Sequence, residues 1–435
     1  MKLYVGAAKA DITPTEPVPL AGFAVRGNKP FERIESDIYV KVLFFRQKDA
    51  DGTVRQAVVA AADLIWWGSD RMAGIRERLK ARWGLGPERI VLNATHSHSG
   101  PQTCSTFHRM LGRANSAYVA FLEERLLEAI DSAAGNLEPV SIERGTGESR
   151  IGVQRRRYAD GKVYGGPNPN GPMDPEVNVV RFRTEDGRTK ALIVHYACHP
   201  ITSTENEVSA EFAGYATERL EREHEGSVCL YLQGCCGDIA ISKSSAPSEA
   251  ATDREKMAYF GEKLADTVSD VLASSMKPLA SCALRGLYRT VPLKLLPLPD
   301  RERLAAVAAA GEPPYDEWAS YMLERYDERP AALGMEMTRL DVADGLTLLT
   351  MNAEVVVDYG LYMKRLSAGN VLPVAYTNGM IGYVPTAEQH PYRGYESDLS
   401  TYYFHMPSRL DPASDRDFRA ALADMIRPQS GEGSV

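Results

Sequence analysis

Residues 90–101 read IVLNATHSHSGP, an apolar run that ends in two histidines one residue apart. A short apolar run bounded by polar residues, glycine and proline predicts a buried strand followed by a loop. If the backbone stays extended past the strand, side chains two residues apart lie on the same face, and His96 and His98 point in one direction. This geometry suits one imidazole on a metal ion with its neighbour beside the open coordination position, although a solvated pair at a strand end would look the same.

Two later apolar runs end in the same way. The strand in IVHYACHP ends at His199, and the strand in CLYLQGCCGD leaves the core through Gly234 and Gly237 and is followed by Asp238. Ligands gather outside the carboxyl ends of strands in open α/β sheets, so we expect His96 and His199 to meet at one sheet edge. The glycines would let backbone N–H groups face an anion, and a tight turn capped by Asp238 is the alternative.

Two further candidates lie late in the chain. Glu354 follows the apolar run LTLLTMNAE, and Tyr383 lies in TNGMIGYVPT. A carboxylate there is also explained as a charge at a helix N-terminus, and the tyrosine as a packed aromatic ring. Together with His96 and His199, however, Glu354 completes a ligand set that catalytic zinc uses, with a position left for water or substrate. Because zinc activates water and polarises a carbonyl, the set predicts a hydrolytic site.

Strands and helices are interspersed along the 435 residues, and several strands follow one another directly. This order predicts an α/β (α+β) fold, with helices packed on a mixed β-sheet and the metal site at the strand ends. Without a repeat or a linker-like stretch, we expect one catalytic domain over residues 1–427 and a disordered tail at 428–435. The longest irregular segments, which in compact domains are usually functional, are expected at 11–35, 152–175, 237–250 and 386–410.

The composition restricts the partners of the chain. A formal net charge of −8 without a long basic stripe argues against nucleic-acid binding. The longest apolar run, at 57–67, is too short to span a bilayer, and the N-terminal residues lack the apolar stretch of a signal peptide. We therefore expect a soluble cytoplasmic protein without stable membrane insertion that acts on a small-molecule substrate, and a homo-oligomer is compatible with the sequence.

Five motifs occur in a specific order between residue 5 and about residue 396: VGAAKADITP, NATHSHSGP, HPITS followed by AEFAGYA, QGCCGDI, and IGYVPTAEQHPYRGYE. In this order they resemble the motifs of the neutral ceramidase family over nearly the whole chain. Family members of known activity are zinc amidases that cleave the amide of N-acyl sphingosine. The resemblance implies that Zn²⁺ is held by His96, His199, Glu354 and Tyr383.

The resemblance also implies roles for two neighbours of the metal. His98 would lie beside the ion and serve in substrate binding or proton transfer, and Arg155 in VQRRR would face the same pocket, although the adjacent Arg156 and Arg157 compete for that role. Asp238 joins them as a catalytic candidate. Asp63 and Glu211 are weaker candidates that would support the ligands from behind.

One departure from the family pattern concerns the nucleophile. The family motif Gly-Asp-Val-Ser-Pro-Asn contains a serine that attacks the substrate or takes a direct part, and Ala240 stands at its position here. Ser242 and Ser244 would replace it only if the loop shifts. We also expect neither the family's C-terminal immunoglobulin-like domain nor its secretion signal, and we find no amphipathic basic helix, so ceramide itself is not the expected substrate.

The leading prediction is a zinc-dependent hydrolase that cleaves an amide bond by a metal-activated water, with His98, Tyr383, Asp238 and Arg155 as catalytic groups. One alternative is a metal-dependent lyase or hydrolase acting on a sugar acid or another polar metabolite, with residues 155–157 holding a carboxylate. A second alternative is a non-catalytic ligand-binding homologue. Ala240 favours this last alternative, whereas retention of all four proposed metal ligands disfavours it.

Overall fold

The computed structural model describes residues 2–48, 52–274 and 276–427, and the predicted disordered tail at 428–435 lies outside these residues. The strands are β1 (Lys2–Asp11), β2 (Arg33–Ile34), β3 (Tyr39–Lys48), β4 (Val54–Ala62), β5 (Ile90–Ala94), β6 (Glu138–Glu148), β7 (Gly152–Ala159), β8 (Lys162–Asn168), β9 (Glu176–Thr184), β10 (Thr189–Tyr196), β11 (Glu207–Val208), β12 (Val228–Gln233), β13 (Ile239–Ile241), β14 (Lys277–Leu279), β15 (Arg285–Lys294), β16 (Ala332–Ala343), β17 (Leu346–Met351), β18 (Glu354–Val355), β19 (Val371–Val374) and β20 (Tyr383–Val384). The α-helices are α1 (Met72–Trp83), α2 (Ser116–Gly135), α3 (Glu211–Glu223), α4 (Asp253–Ala273), α5 (Arg301–Ala310), α6 (Tyr315–Glu324), α7 (Val357–Leu366), α8 (Ser400–Tyr403) and α9 (Ser414–Ile426).

A nine-stranded sheet with the order β12-β10-β9-β6-β1-β3-β4-β5, to which β14 is added beside β6, forms the centre of the fold. The pairs β4–β5 and β10–β12 are parallel, and the pairs around β1 and β9 are antiparallel. The predicted α/β (α+β) class with a mixed sheet is therefore confirmed. Strands β3 and β4 are buried over most of their length, which explains why they read as continuous apolar runs instead of alternating.

Two layers cover the large sheet. Helices α2, α3 and α4 pack on one face, where Leu122 and Phe260 join the main apolar cluster. A four-stranded sheet, β15-β16-β17-β19, packs on the other face, where Leu43 and Val91 share a cluster with Leu340. Facing apolar surfaces of this kind are the main source of stability for such a layered domain.

The edge strands β5 and β12 of the large sheet are joined by residues 374–378, which continue from β19. The buried amide of Asn93 in β5 donates to the carbonyl of Ala375 at 2.7 Å and accepts from the backbone N–H of Gln233 in β12 at 3.0 Å. The N–H of Ala375 in turn donates to the carbonyl of Gln233 at 3.1 Å. This closure places the carboxyl ends of β5 and β12 next to each other, and the loops that carry the candidate ligands start there.

One segment that was expected to be irregular is ordered. Within 152–175, strands β7 and β8 form a hairpin, and β13 pairs with the outer side of β7. The hairpin turns at Asp160 and Gly161, both with positive φ (51° and 68°), which is the Asp-Gly signature of a tight two-residue turn. The prediction of an irregular segment is therefore wrong for β7 and β8, although the dipeptide that causes the turn is visible in the sequence.

Helices α5 and α6 lie between β15 and β16 and have a small apolar cluster of their own around Trp318. Among the residues that the structure describes, none of the helices has the length and apolar character needed to cross a bilayer. The single-domain organisation over 1–427 and the cytoplasmic location stay predictions.

Candidate metal centre

Three histidines and one carboxylate meet beside the closed edge of the large sheet. The Nε2 atoms of His96 and His199 lie 3.2 and 3.3 Å from the same oxygen of Glu354. The Nε2 atom of His98 lies 3.3 Å from Nε2 of His96. Each of the three imidazoles offers a nitrogen within 4.8 Å of the other two, and all four side chains are buried. Distant parts of the chain thus form one compact set of nitrogen and oxygen donors.

The loop that carries His96 and His98 does not have the extended backbone that was expected. Strand β5 ends at Ala94, and His96 has a φ of +66°, in the left-handed region. Such a conformation costs on the order of 1 kcal/mol for a residue with a side chain and persists only where packing holds it. Here the ring of Tyr376 lies 4.0 Å from that of His96. The His96 and His98 rings still meet, with centroids 4.9 Å apart and nearly perpendicular planes.

Backbone carbonyls fix the orientation of two imidazoles. Nδ1 of His96 lies 2.8 Å from the carbonyl oxygen of Ile65, and Nδ1 of His199 lies 2.6 Å from that of Cys236. A carbonyl oxygen only accepts, so each Nδ1 donates its proton and each Nε2 carries a lone pair toward Glu354. Burial, assisted by the nearby positive charge of Arg155, lowers the pKa of His199 to about 3, which keeps this ring neutral at pH 7.

This arrangement of lone pairs suits a cation. The Nε2 lone pairs of His96 and His199 both face the same oxygen of Glu354 at 3.2 and 3.3 Å, and acceptors that face one another at this distance repel unless a positive charge lies between them. Neutral imidazoles and a carboxylate are the ligands that zinc takes in catalytic sites, and their second nitrogens are usually held as they are here. The donor set therefore fits a Zn²⁺ ion.

The fourth expected ligand, Tyr383, belongs to the same place. Strands β18 and β20 pair in parallel, and Tyr383 is the register partner of Glu354. Because directly paired residues carry their side chains on one face, the phenol stands beside the carboxylate. Burial, together with the charge of Glu354, raises the pKa of Tyr383 well above its usual value. The structure brings all four expected ligands together, and their binding of a metal stays a prediction.

Arg155 is the arginine of the RRR run that reaches this cluster. Its Nη2 donates to the hydroxyl oxygen of Tyr383 at 3.1 Å and to the carbonyl of Gly237 at 2.6 Å, and its Nε donates to Glu396 at 3.3 Å. Arg156 donates to both oxygens of Glu396, at 2.8 and 2.7 Å. Glu396 is almost fully buried and was not among the sequence candidates, although it ends the last recognised motif. Its negative charge is shared by both guanidinium groups.

The structure does not bring the carboxylate of Asp238 among the histidines. One oxygen accepts from the N–H of Val357, the first residue of α7, at 2.9 Å. The other accepts from the side-chain amides of Gln154 and Gln389 at 3.0 and 3.2 Å. Burial raises the pKa of Asp238 to about 6. The geometry is that of a buried cap at the start of α7, the alternative weighed above, and a catalytic role for Asp238 stays a prediction.

Replacing Asp238 by asparagine is expected to lower the free energy of unfolding by roughly 2–3 kcal/mol, because an amide N–H₂ would face donors that now bind the carboxylate. Urea unfolding followed by circular dichroism measures the change. Asp327→Asn is the control, since that side chain is 86% exposed, and a change within about 0.5 kcal/mol is expected there. A variant of Asp238 that is equally stable but inactive would support the catalytic role instead.

Ala240 lies next to a candidate ligand. It pairs with His199 in an isolated parallel bridge and with Val153 in the β13–β7 ladder. The N–H of His199 donates to the carbonyl of Ile239 at 3.3 Å, which fixes this register. Side chains of paired residues share a face, so the methyl group of Ala240 stands beside the imidazole of His199. Ser242 follows the end of β13, and Ser244 is exposed.

The two weaker candidates differ in their surroundings. Asp63 accepts a hydrogen bond from the backbone of Tyr39 at 2.9 Å, and it is the nearby carbonyl of Ile65 that orients His96. Glu211 is fully buried with a φ of +56° and accepts from the N–H of Ser203 at 3.0 Å, so it supports the loop that follows His199. Carbonyl groups such as that of Ile65 leave no signature in a sequence, which is why they could not be anticipated.

A protein-family model described as neutral/alkaline non-lysosomal ceramidase, N-terminal, matches residues 3–274. Among curated proteins, the neutral ceramidase of Pseudomonas aeruginosa is 24% identical over 276 residues, which cover 58% of this chain and 38% of that protein. The match thus spans well under half the length of this relative.

Solved structures extend the likeness to the fold of nearly the whole chain. The crystal structure of neutral ceramidase from Pseudomonas aeruginosa superposes with a TM-score of 0.76 at 20% identity, covering 98% of this chain and 74% of that chain. A ceramidase complexed with C2 gives a TM-score of 0.76 at 19% identity, covering 98% of this chain and 75% of that one. The mixed α/β architecture is therefore shared with these structures.

Proposed function

The chain belongs to the neutral/alkaline non-lysosomal ceramidase family, and on that premise we propose that it is a metal-dependent hydrolase that cleaves an amide bond in a small molecule. The observation that carries the proposal is the convergence of the Nε2 atoms of His96 and His199 on one oxygen of Glu354, with both opposite nitrogens held by carbonyls. Such a set leaves no lone pair free for a structural hydrogen bond and is matched to a cation.

We propose that His96, His199, Glu354 and Tyr383 hold a Zn²⁺ ion. When bound, such an ion lowers the pKa of a water molecule toward neutrality and polarises a carbonyl oxygen. Arg155 donates to the Tyr383 oxygen at 3.1 Å, and Glu396 restrains its guanidinium group, so the phenol is held in one orientation. Preorganisation of this kind matters because misplaced groups lose much of their catalytic effect.

In the proposed reaction, the oxygen of water attacks the carbonyl carbon of the amide and the C–N bond breaks, which gives a carboxylic acid and an amine. His98 is the group placed to move the proton, because its Nε2 lies 3.3 Å from Nε2 of His96 at the edge of the cluster. Burial and the neighbouring His96 and His199 rings hold the pKa of His98 well below its usual value, so the ring is neutral and can accept a proton. It would take the proton from the attacking water and give it to the leaving nitrogen.

The surroundings of the arginines bear on the alternative substrate, a sugar acid. Arg155 and Arg156 both donate to Glu396, whose carboxylate already supplies the charge that a substrate carboxylate would bring. Such a substrate would have to compete with a buried internal partner. We therefore do not propose that these two arginines bind the substrate by a carboxylate.

The purified chain is expected to release amine and acid from N-acyl substrates, and the double variant Ser242→Ala/Ser244→Ala is expected to keep kcat/KM within about twofold. The reason is that Ala240 has no hydroxyl beside His199, so water and not a side chain attacks the carbonyl. The measurement is amine release at several substrate concentrations, with Ala240→Gly as the matched control. A loss of more than about 100-fold in the double variant would instead identify a serine nucleophile.

A further inference from the structure

Four partly exposed aromatic side chains lie around the buried metal centre, and we call them the aromatic collar: Phe23, Phe107, Tyr395 and Tyr403. The ring of Phe23 contacts the ring of His98, with centroids 4.7 Å apart. The ring of Tyr395 lies 5.4 Å from that of Tyr383 and 6.4 Å from that of Tyr403. The collar therefore borders the centre on both the histidine side and the tyrosine side.

Phe107 joins the collar to the remaining histidine. Its ring packs edge-on against Trp66, with centroids 5.2 Å apart, and Trp66 lies 6.4 Å from His96. The ring of Phe107 also lies 4.9 Å from that of Phe404, which contacts Tyr383 at 5.9 Å. Trp66 and Phe404 are buried, so they form the wall behind the collar and leave its four rings facing outward.

The loops that carry the collar are bound to one another. The N–H of Gly22 donates to the carbonyl of Leu111 at 3.2 Å, and the N–H of His108 donates to the carbonyl of Tyr403 at 3.0 Å. Gly22 has a φ of +96°, and a Cβ there would lie 2.4 Å from Nδ1 of His98, so only glycine allows this approach. Arg26 is buried and donates to the carbonyls of His98 and Ala21, which fixes the loop around Phe23.

The chemistry of the collar combines flat apolar faces with unused hydroxyl groups. Phe23 and Phe107 offer only ring surface. Within the described part of the chain, no hydrogen bond is formed by the hydroxyl of Tyr395 or by that of Tyr403. An alkyl chain laid on the collar would cover these hydroxyls without giving them a partner, which is unfavourable. A sugar ring satisfies both features, because its C–H face stacks on aromatic rings while its hydroxyls bond to the phenols.

We propose that the substrate is an N-acyl amino sugar, whose ring is bound by the aromatic collar while its amide reaches the metal centre. This inference rests on the proposed amide hydrolysis. It takes the reaction from the family and the class of substrate from the side chains around the site. Phe23 contacts His98, the proposed proton carrier, so a ring seated on Phe23 places a substituent amide next to the group that would protonate its nitrogen.

Amide hydrolysis by the intact protein tests the proposal with three substrates that share an acetyl group: N,N′-diacetylchitobiose, N-acetylsphingosine and an N-acetyl amino acid. The sugar is expected to have a kcat/KM at least about tenfold above the other two. Preferred cleavage of N-acetylsphingosine or of the amino acid would overturn the inference and leave the proposed function standing. Absence of cleavage of all three would count against the proposed function itself.

Binding of N,N′-diacetylchitobiose, measured by calorimetry on the same protein, does not depend on turnover. Tyr403→Phe keeps the ring and removes the hydroxyl, and binding is expected to weaken about 5- to 10-fold, as for loss of one hydrogen bond. Phe23→Ala is expected to weaken binding further. Tyr164→Phe is the matched control, since Tyr164 is an exposed tyrosine on β8 outside the collar, and unchanged binding is expected. Equal effects at Tyr403 and Tyr164, or no binding to the unaltered protein, would overturn the inference.

Discussion

Replacing His199 by alanine is expected to remove the bound metal and to lower kcat for amide hydrolysis by more than about 10³-fold. His199 supplies one of the two Nε2 atoms that face Glu354, and its own Nδ1 is held by the carbonyl of Cys236. Without it, the cation would lose a neutral nitrogen donor and the carboxylate would lose its partner. Loss of one preorganised electrostatic group alone costs about 10²–10³-fold, and here the activating ion is lost as well. Metal analysis together with amine release gives both quantities.

His195 provides the control for this variant. It lies four residues earlier, in β10, is equally buried, and its Nε2 lies 2.8 Å from the carbonyl oxygen of Pro373, so it is a core histidine. His195→Gln is expected to keep the metal content of the unaltered protein, even if its free energy of unfolding falls. Treatment of the unaltered protein with a chelator should reproduce the loss seen in His199→Ala, and added Zn²⁺ should reverse it. Full activity after chelation would refute the metal-dependent mechanism.

The parts of the site that the sequence predicts are those in which a polar residue ends an apolar run. His96, His199 and Glu354 could be proposed because a strand preceded each of them, and the structure brings these three side chains together. The sequence could not predict what brings them together. Residues 374–378 join the edges of the large sheet through the buried amide of Asn93, and this pairing depends on residues nearly 300 positions apart.

Local conformation was harder to predict than the identity of the residues. The extended backbone assumed after β5 is absent, because His96 takes a left-handed conformation that the stacked ring of Tyr376 supports. Likewise, three adjacent arginines look equivalent in the sequence. Only the pairing of β7 with β13 and the position of Glu396 select Arg155 as the one that reaches Tyr383. Such choices depend on tertiary packing and not on spacing.

His98 poses a sharper question, since its Nε2 lies as close to His96 as a second ligand would. A histidine that binds a metal almost always donates its other N–H to a carbonyl or carboxylate, as the Nδ1 atoms of His96 and His199 do. Nδ1 of His98 is buried and has no hydrogen-bond partner among the described residues, where it lies against Gly22. This difference indicates that His98 is a proton carrier and not a ligand.

His98→Gln is therefore expected to lower kcat by about 10²–10⁴-fold, the usual contribution of a general acid–base group, while the metal content stays that of the unaltered protein. The glutamine keeps a polar group of similar reach, so the loss reports the missing proton transfer and not an empty space. If His98→Gln lost its metal as His199→Ala does, His98 would be a ligand, and the proton would have to be moved by another group. Unchanged metal with unchanged kcat would mean that water alone delivers the proton to the leaving nitrogen. The combination of retained metal and lost turnover is the result that only a proton carrier beside the ion produces.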